Sequence, residues 1–118
     1  MTEREEALRF VTSVIERCRR MQPRFAPGTA QHTLLKNRIR AMEIARSLLE
    51  SGHAEGWPAA ELAAAREPIA SIIRKCGKAR SKYGPGTAQY RRFDRIVRAM
   101  ELSAALLQGE LENRRETV

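Results

Sequence analysis

The sequence contains an internal repeat with an offset of 58 residues. The stretch RFAPGTAQH at 24–32 is followed by KYGPGTAQY at 82–90, and the five consecutive residues PGTAQ are identical. The string RAME recurs at the same offset, at 40–43 and again at 98–101. Self-similarity at a fixed offset indicates a fold that is assembled from copies of one supersecondary unit.

Each copy has the hydrophobic spacing of a helix, a turn and a second helix. In the first copy, Val11, Ile15 and Cys18 recur at steps of three and four residues, and Ile39 and Met42 do so after the turn. This spacing is typical of one buried helical face. Because a single hairpin buries little core, we predict an all-α fold in which two tandem αα-hairpin repeats form a pseudo-twofold four-helix bundle.

We interpret residues 1–118 as a single domain. Repeat unit one is predicted at about 3–52, a joining segment at about 53–66 and repeat unit two at about 67–114. The joining segment is rich in alanine. We therefore expect a short helix there, which either precedes the third main helix or merges with it.

The net charge and the hydropathy of the chain indicate which partners and which cellular location to expect. Lys and Arg number 22 against 14 Asp and Glu, which gives a net charge of +8 and favours acidic partners such as nucleic acid or phosphorylated small molecules. The first residues, MTEREEAL, lack the apolar core of a secretory signal, and no apolar run approaches the length of a membrane span. We expect a cytoplasmic protein that does not bind membranes.

The repeated turn is the candidate ligand site. Pro-Gly provides a fixed φ followed by a residue that can adopt positive φ, and Thr29 and Thr87 suit the N-cap of the next helix. Gln31 and Gln89 are predicted to point along the core face at the end of the bundle, where each amide needs a partner. That partner is either the last carbonyls of the preceding helix or a ligand. The predicted ligand-binding residues are Arg24, Gly28, Thr29, Gln31, His32, Lys82, Gly86, Thr87, Gln89 and Tyr90.

These turns lead to the first functional hypothesis. A helix N-terminus favours anions, and each turn adds a cation, an amide and a ring-bearing side chain. We predict a non-enzymatic helical protein that captures or sequesters a phosphate-bearing ligand, such as a nucleotide or a cyclic oligonucleotide signal. The two turns form one composite pocket if the twofold brings them together, and two separate sites if it does not.

A second hypothesis is nonspecific nucleic-acid binding through basic stripes on the helices. Positive side chains recur there at steps of three and four residues, which places them along one helical face and suits a phosphate backbone. The alternative is a face that contacts only water. The basic-stripe residues are Arg17, Arg20, Lys75, Lys78, Arg91, Arg95 and Arg98.

A third hypothesis is a protein-interaction module or inhibitor that uses its outer helical face, in a homodimer or with another protein. The RAME strings predict i, i+3 ion pairs between Arg40 and Glu43 and between Arg98 and Glu101. Ile44 and Leu102 are predicted to lie beside these pairs, away from the inner stripe. The alternative is that this mixed patch packs against the joining helix or a neighbouring hairpin.

No catalytic residue, metal site or cofactor is predicted. His32 and His53 have no histidine counterpart in the other copy, and no catalytic triad or carboxylate pair is visible. Cys18 and Cys76 occupy equivalent positions on the apolar stripes. We interpret both as small core residues, because no second thiol or histidine lies at metal-ligand spacing.

Overall fold

The computed structural model describes residues 1–116 of the chain. It confirms the predicted all-α class, because these residues form four helices and no strand. A single 3-10 turn, Gln22–Arg24, extends the first helix. The four helices are α1 Glu3–Met21, α2 Ala30–Ser51, α3 Ala59–Arg80 and α4 Ala88–Glu116.

Local sequence signals explain where the helices begin and end. Thr2 caps α1, since its side-chain oxygen accepts a hydrogen bond from the backbone N–H of Glu5 at 3.1 Å. Helix α2 ends at Gly52, which adopts a left-handed conformation with φ of +82° and donates its N–H to the carbonyl of Leu48. The Ala-rich part of the joining segment merges with the third main helix, because α3 runs without a break through Pro68.

The packing of the helices places α2 and α4 at the centre of the bundle. Helix α1 packs against α2, and α3 packs against α4, while α2 also contacts α3 and α4 also contacts α1. Helices α2 and α4 contact each other directly, whereas α1 and α3 do not touch. Met42 and Met100 are fully buried on these central helices. Burial of such a side chain contributes about 1.5–3 kcal/mol to folding.

The prediction that Ile44 lies on the outer face is wrong, and the alternative, that this region packs against neighbouring helices, describes Ile44 better. Ile44 is only 1% exposed and belongs to the core, because α2 contacts all three other helices and has little free surface in its middle. Leu102 is half-buried and packs against the same core. Arg40 and Glu101 of the same patch remain exposed, so only its apolar part is covered by the packing of the helices.

The ion pairs predicted within each RAME string are also not formed. Arg40 pairs with Glu61 at the start of α3, and Glu43 pairs with Arg19 of α1 at 3.3 Å. Each side chain reaches a neighbouring helix because α2 lies between α1 and α3. In the second copy, Arg98 pairs with Asp94 at 3.0 Å and not with Glu101.

The two cysteines are free thiols within the helical packing. Cys18 is buried and Cys76 is half-buried. Burial raises the pKa of both thiols, and the positive charge of Arg38 only partly offsets this effect. Both side chains are therefore protonated and weakly nucleophilic at neutral pH.

Candidate functional site

The first PGTAQ turn forms a complete helix N-cap. The Oγ1 atom of Thr29 accepts a hydrogen bond from the backbone N–H of His32 at 3.2 Å and donates one to the carbonyl of Ala26 at 2.8 Å. Gly28 has φ of +90°, a conformation that favours glycine. The roles predicted for Gly28 and Thr29 in starting the helix are therefore observed.

The second turn repeats the cap with a different backbone. The Oγ1 atom of Thr87 accepts from the N–H of Tyr90 at 3.1 Å and donates to the carbonyl of Gly84 at 2.8 Å. Gly86 does not adopt the positive φ that the sequence predicted, and its carbonyl accepts a hydrogen bond from Arg91 at 2.8 Å. Thr87 therefore forms the same pair of hydrogen bonds as Thr29, although Gly86 does not share the positive φ of Gly28.

The two glutamines do not point along the core face, and this prediction is wrong. Gln31 and Gln89 are exposed, and neither side chain forms a hydrogen bond to any residue between 1 and 116. The reason is that the first turn of each helix extends beyond the packed region. The first buried residue of α2 is Leu35, and that of α4 is Val97. Both amides therefore face solvent.

The other predicted ligand residues surround these amides at the surface. Arg24 and Lys82 are exposed, as expected for cations that precede each turn. His32 and Tyr90 are half-buried. Each turn therefore presents an open surface of polar and charged groups.

An aromatic cluster beside the second turn was not predicted from the sequence. The rings of Tyr83 and Phe93 are stacked, with centroids 6.1 Å apart and an angle of 15° between the planes. Tyr83 is 41% exposed, so part of its ring is accessible from solvent. The sequence does contain one indication of this cluster, since an aromatic residue, Phe93, stands where the first copy has Leu35.

An arginine is fixed beside this cluster. The Nη1 atom of Arg80 lies 2.7 Å from Oδ1 of Asp94, and its guanidinium carbon lies 5.8 Å from the centroid of the Tyr90 ring. A guanidinium over an aromatic face is held by the ring quadrupole. The first copy has Gln22 where the second has Arg80, so only the second turn has this arrangement.

Positive charge is concentrated around both turns. Residues 16–40 and 74–98 contain 16 of the 22 Lys and Arg residues and only 2 of the 14 Asp and Glu residues. Helices α2 and α3 both extend away from the loop at 52–58, so both turns lie at the end of the bundle opposite that loop. This turn-bearing end is strongly basic, and the remainder of the chain carries more acidic than basic residues.

The predicted basic stripes are at the surface, since all seven of their residues are exposed. Arg91 binds the carbonyl of Gly86, and Arg98 pairs with Asp94. The side chains of the other five form no ion pair or hydrogen bond within the described part of the chain: Arg17, Arg20, Lys75, Lys78 and Arg95.

Four surface clefts of the molecule lie away from the turns. One groove lies between α2 and α3, and others lie along α1 and between α1 and α4. None of these clefts is lined by a residue of either PGTAQ turn. The 3-10 turn before the first PGTAQ contacts only α1 and α2. None of these four clefts joins the two turns.

The described residues contain neither a group of metal ligands nor a helix that could span a membrane. Within 1–116, no three His, Cys, Asp or Glu side chains are grouped so that they could hold a metal ion. None of the helices in this range combines the length and hydropathy of a bilayer span.

Comparison with known proteins gives no match to a family model, a curated protein or a solved structure.

Proposed function

We propose that this chain is a non-enzymatic binding protein that captures a phosphate-bearing ligand, a nucleotide or a cyclic oligonucleotide, at its two PGTAQ turns. The observation that carries the proposal is the exposed, unbonded amide of Gln31 and of Gln89. Helix capping is performed by the neighbouring threonines. Both copies have the glutamine, although neither side chain forms a hydrogen bond within residues 1–116.

Backbone groups add to the attraction of each turn for an anion. The N–H groups of Ala30 and Gln31 precede the first helical hydrogen bonds of α2, and those of Ala88 and Gln89 do so in α4. Such a helix N-terminus stabilises a negative charge by about 0.3–1 kcal/mol. The surrounding excess of Lys and Arg raises the local concentration of anions further.

The second turn favours a ligand with a base over a bare phosphate. Tyr83 offers a partly exposed ring, and the guanidinium of Arg80 lies over the ring of Tyr90 in the same turn region. Aromatic rings and guanidinium planes stack on nucleobases. We therefore propose a nucleotide as the ligand and expect tighter binding at the second turn than at the first.

The proposed symmetry of the fold is consistent with two sites. The contact between α1 and α2 corresponds to that between α3 and α4, and the contact between α2 and α3 corresponds to that between α4 and α1. A pseudo-twofold axis between α2 and α4 would relate these pairs. Under this symmetry the chain presents two related turns at its basic end.

A thermal-shift screen against nucleotides and cyclic di- and trinucleotides tests the proposal. A ligand at 100 times its Kd stabilises the native state by about 2.7 kcal/mol. The double variant Gln31→Ala/Gln89→Ala should keep the Tm of the free protein and lose the shift. Gln108→Ala, an exposed glutamine further along α4, is the matched control and should keep the shift. An undiminished shift in the double variant would contradict the proposal.

A further inference from the structure

Part of the basic surface of the molecule lies in a cleft between α1 and α4, where four arginines are gathered. The cleft has a volume of about 530 Å³ and uses no residue of either PGTAQ turn. We refer to it as the α1–α4 cleft. The lining residues that matter here are Arg9, Arg17, Arg92, Arg95, Phe10 and Glu6.

The arginines of the α1–α4 cleft do not stabilise the fold through ion pairs. Within residues 1–116, none of the four forms an ion pair or a hydrogen bond. Glu6 is the only acidic residue among the lining residues of this cleft. Like charges that share a cleft repel one another. An anion in the cleft would be attracted by several positive charges at once.

The other copy of the hairpin provides an internal comparison. The groove between α2 and α3 lies at the equivalent place, 58 positions along the sequence. Residues that replace three of the arginines line that groove: Glu67 for Arg9, Leu34 for Arg92 and Asn37 for Arg95. Helices α2 and α3 pack against each other without arginines at these three positions. We infer that packing of α1 against α4 does not require Arg9, Arg92 and Arg95 either.

The dimensions of the cleft indicate the class of ligand. Arg9 and Arg17 are eight residues apart on α1, a separation of about 12 Å along the helix axis. A ligand with linked phosphates can contact arginines at both ends of this span. Phe10 lies between them in sequence, is half-buried and lines the same cleft, where it offers apolar surface to a base. The cleft volume is within the range of small-molecule sites.

We propose that the α1–α4 cleft is a second binding site, which takes phosphodiester-linked nucleotides. The linked phosphates contact the four arginines, and a base packs on Phe10. Both a short single strand and a cyclic dinucleotide have this chemistry. The site is independent of the function proposed for the turns, because it shares no residue with them.

The test compares two triple variants that lose the same net charge. The cleft variant is Arg9→Gln/Arg92→Gln/Arg95→Gln, and all three side chains are exposed, so the fold should survive. The control variant removes three exposed arginines outside the cleft, Arg66→Gln/Arg74→Gln/Arg115→Gln. Circular dichroism and thermal melts confirm that both remain folded.

Two probes distinguish the sources of the ligand. Fluorescence anisotropy with a labelled hexathymidylate measures binding of a linear strand, and calorimetry with cyclic di-AMP measures binding of a cyclic dinucleotide. We expect the cleft variant to bind one of these probes at least tenfold more weakly than the wild type, and the control variant to change by less than twofold. The probe that responds identifies the source.

The dependence on salt provides an independent readout for the linear strand. Each lost phosphate contact should reduce the slope of log K against log salt by about 0.7 for a single strand. The cleft variant should therefore lose about two units of slope. Equal losses in both variants, or no binding of either probe to the wild type, would overturn the proposal. In Gln31→Ala/Gln89→Ala, any binding that the turns contribute should be lost, while the part of the binding that the cleft variant loses should remain. Loss of that same part in the glutamine variant would show that the probe binds at the turns and not in the cleft.

Discussion

The Nη2 atom of Arg114 lies 2.6 Å from the backbone oxygen of Ala54, which is 60 residues earlier in the chain. The same guanidinium donates to the carbonyl of Trp57 and lies 3.4 Å from the buried carboxylate of Glu110. The end of α4 is thereby fastened to the loop between α2 and α3. This loop lies at the end of the bundle opposite the two turns.

We predict that Arg114→Ala lowers the free energy of unfolding by about 2–3 kcal/mol, because hydrogen bonds to charged groups are strong and the Ala54 carbonyl belongs to a buried residue. Urea denaturation monitored by circular dichroism measures the change. Arg115→Ala removes an exposed neighbouring arginine and should be close to neutral. Equal effects of the two substitutions would show that the contacts of Arg114 do not stabilise the fold.

The threonine caps allow a second prediction about stability. Thr29→Ala leaves the N–H of His32 without its side-chain acceptor and should cost about 0.5–2 kcal/mol. Thr29→Ser keeps the hydroxyl and should retain most of the stability. Thr33→Ala is the control, since Thr33 is exposed and lies inside the same helix. A cost at Thr33 that matches the cost at Thr29 would contradict the capping role.

The helix caps and the buried stripes were predictable because they depend only on residues that are close together in the sequence. Thr29 follows Pro-Gly and precedes an apolar period, which is enough to place a helix N-cap. Met42 lies on the apolar stripe of α2, the face that this helix is expected to bury, and it is fully buried. Neither inference requires knowledge of which helices touch.

The wrong predictions concern residues whose surroundings depend on the packing of whole helices. Ile44 was placed outside because it lies off the inner stripe, but α2 contacts three helices and is buried on several sides. Gln31 lies on the stripe by angle, but the first turn of α2 extends past the end of the packed region. The period of a helix gives the direction of a side chain and does not show where the neighbouring helix stops.

The aromatic cluster at the second turn leads to a prediction about ligand class. Tyr83→Ala removes the exposed ring and should weaken binding of a nucleotide by about 1–3 kcal/mol, since stacking on a base has this magnitude. Binding of inorganic phosphate should not change. Calorimetry with both ligands measures the difference, and Tyr83→Phe should bind like the wild type. If Tyr83→Ala leaves nucleotide binding unaltered, the base does not stack at the second turn.

The buried thiols allow a final prediction, about pH. Burial raises the pKa of Cys18 and Cys76 above the ordinary value of 9.0, so the folded state retains these protons at a pH where the unfolded chain has begun to lose them. The stability that this difference contributes is fully present below pH 9 and is lost as the pH rises through the folded pKa values.

We therefore expect the free energy of unfolding to fall more steeply above pH 9 in the wild type than in Cys18→Ala/Cys76→Ala. Urea titrations between pH 7 and about pH 10.5 measure both slopes, and the double variant corrects for the lysines and tyrosines that titrate in the same range. Parallel curves would show that the two thiols are no harder to ionise in the folded protein than in the unfolded chain.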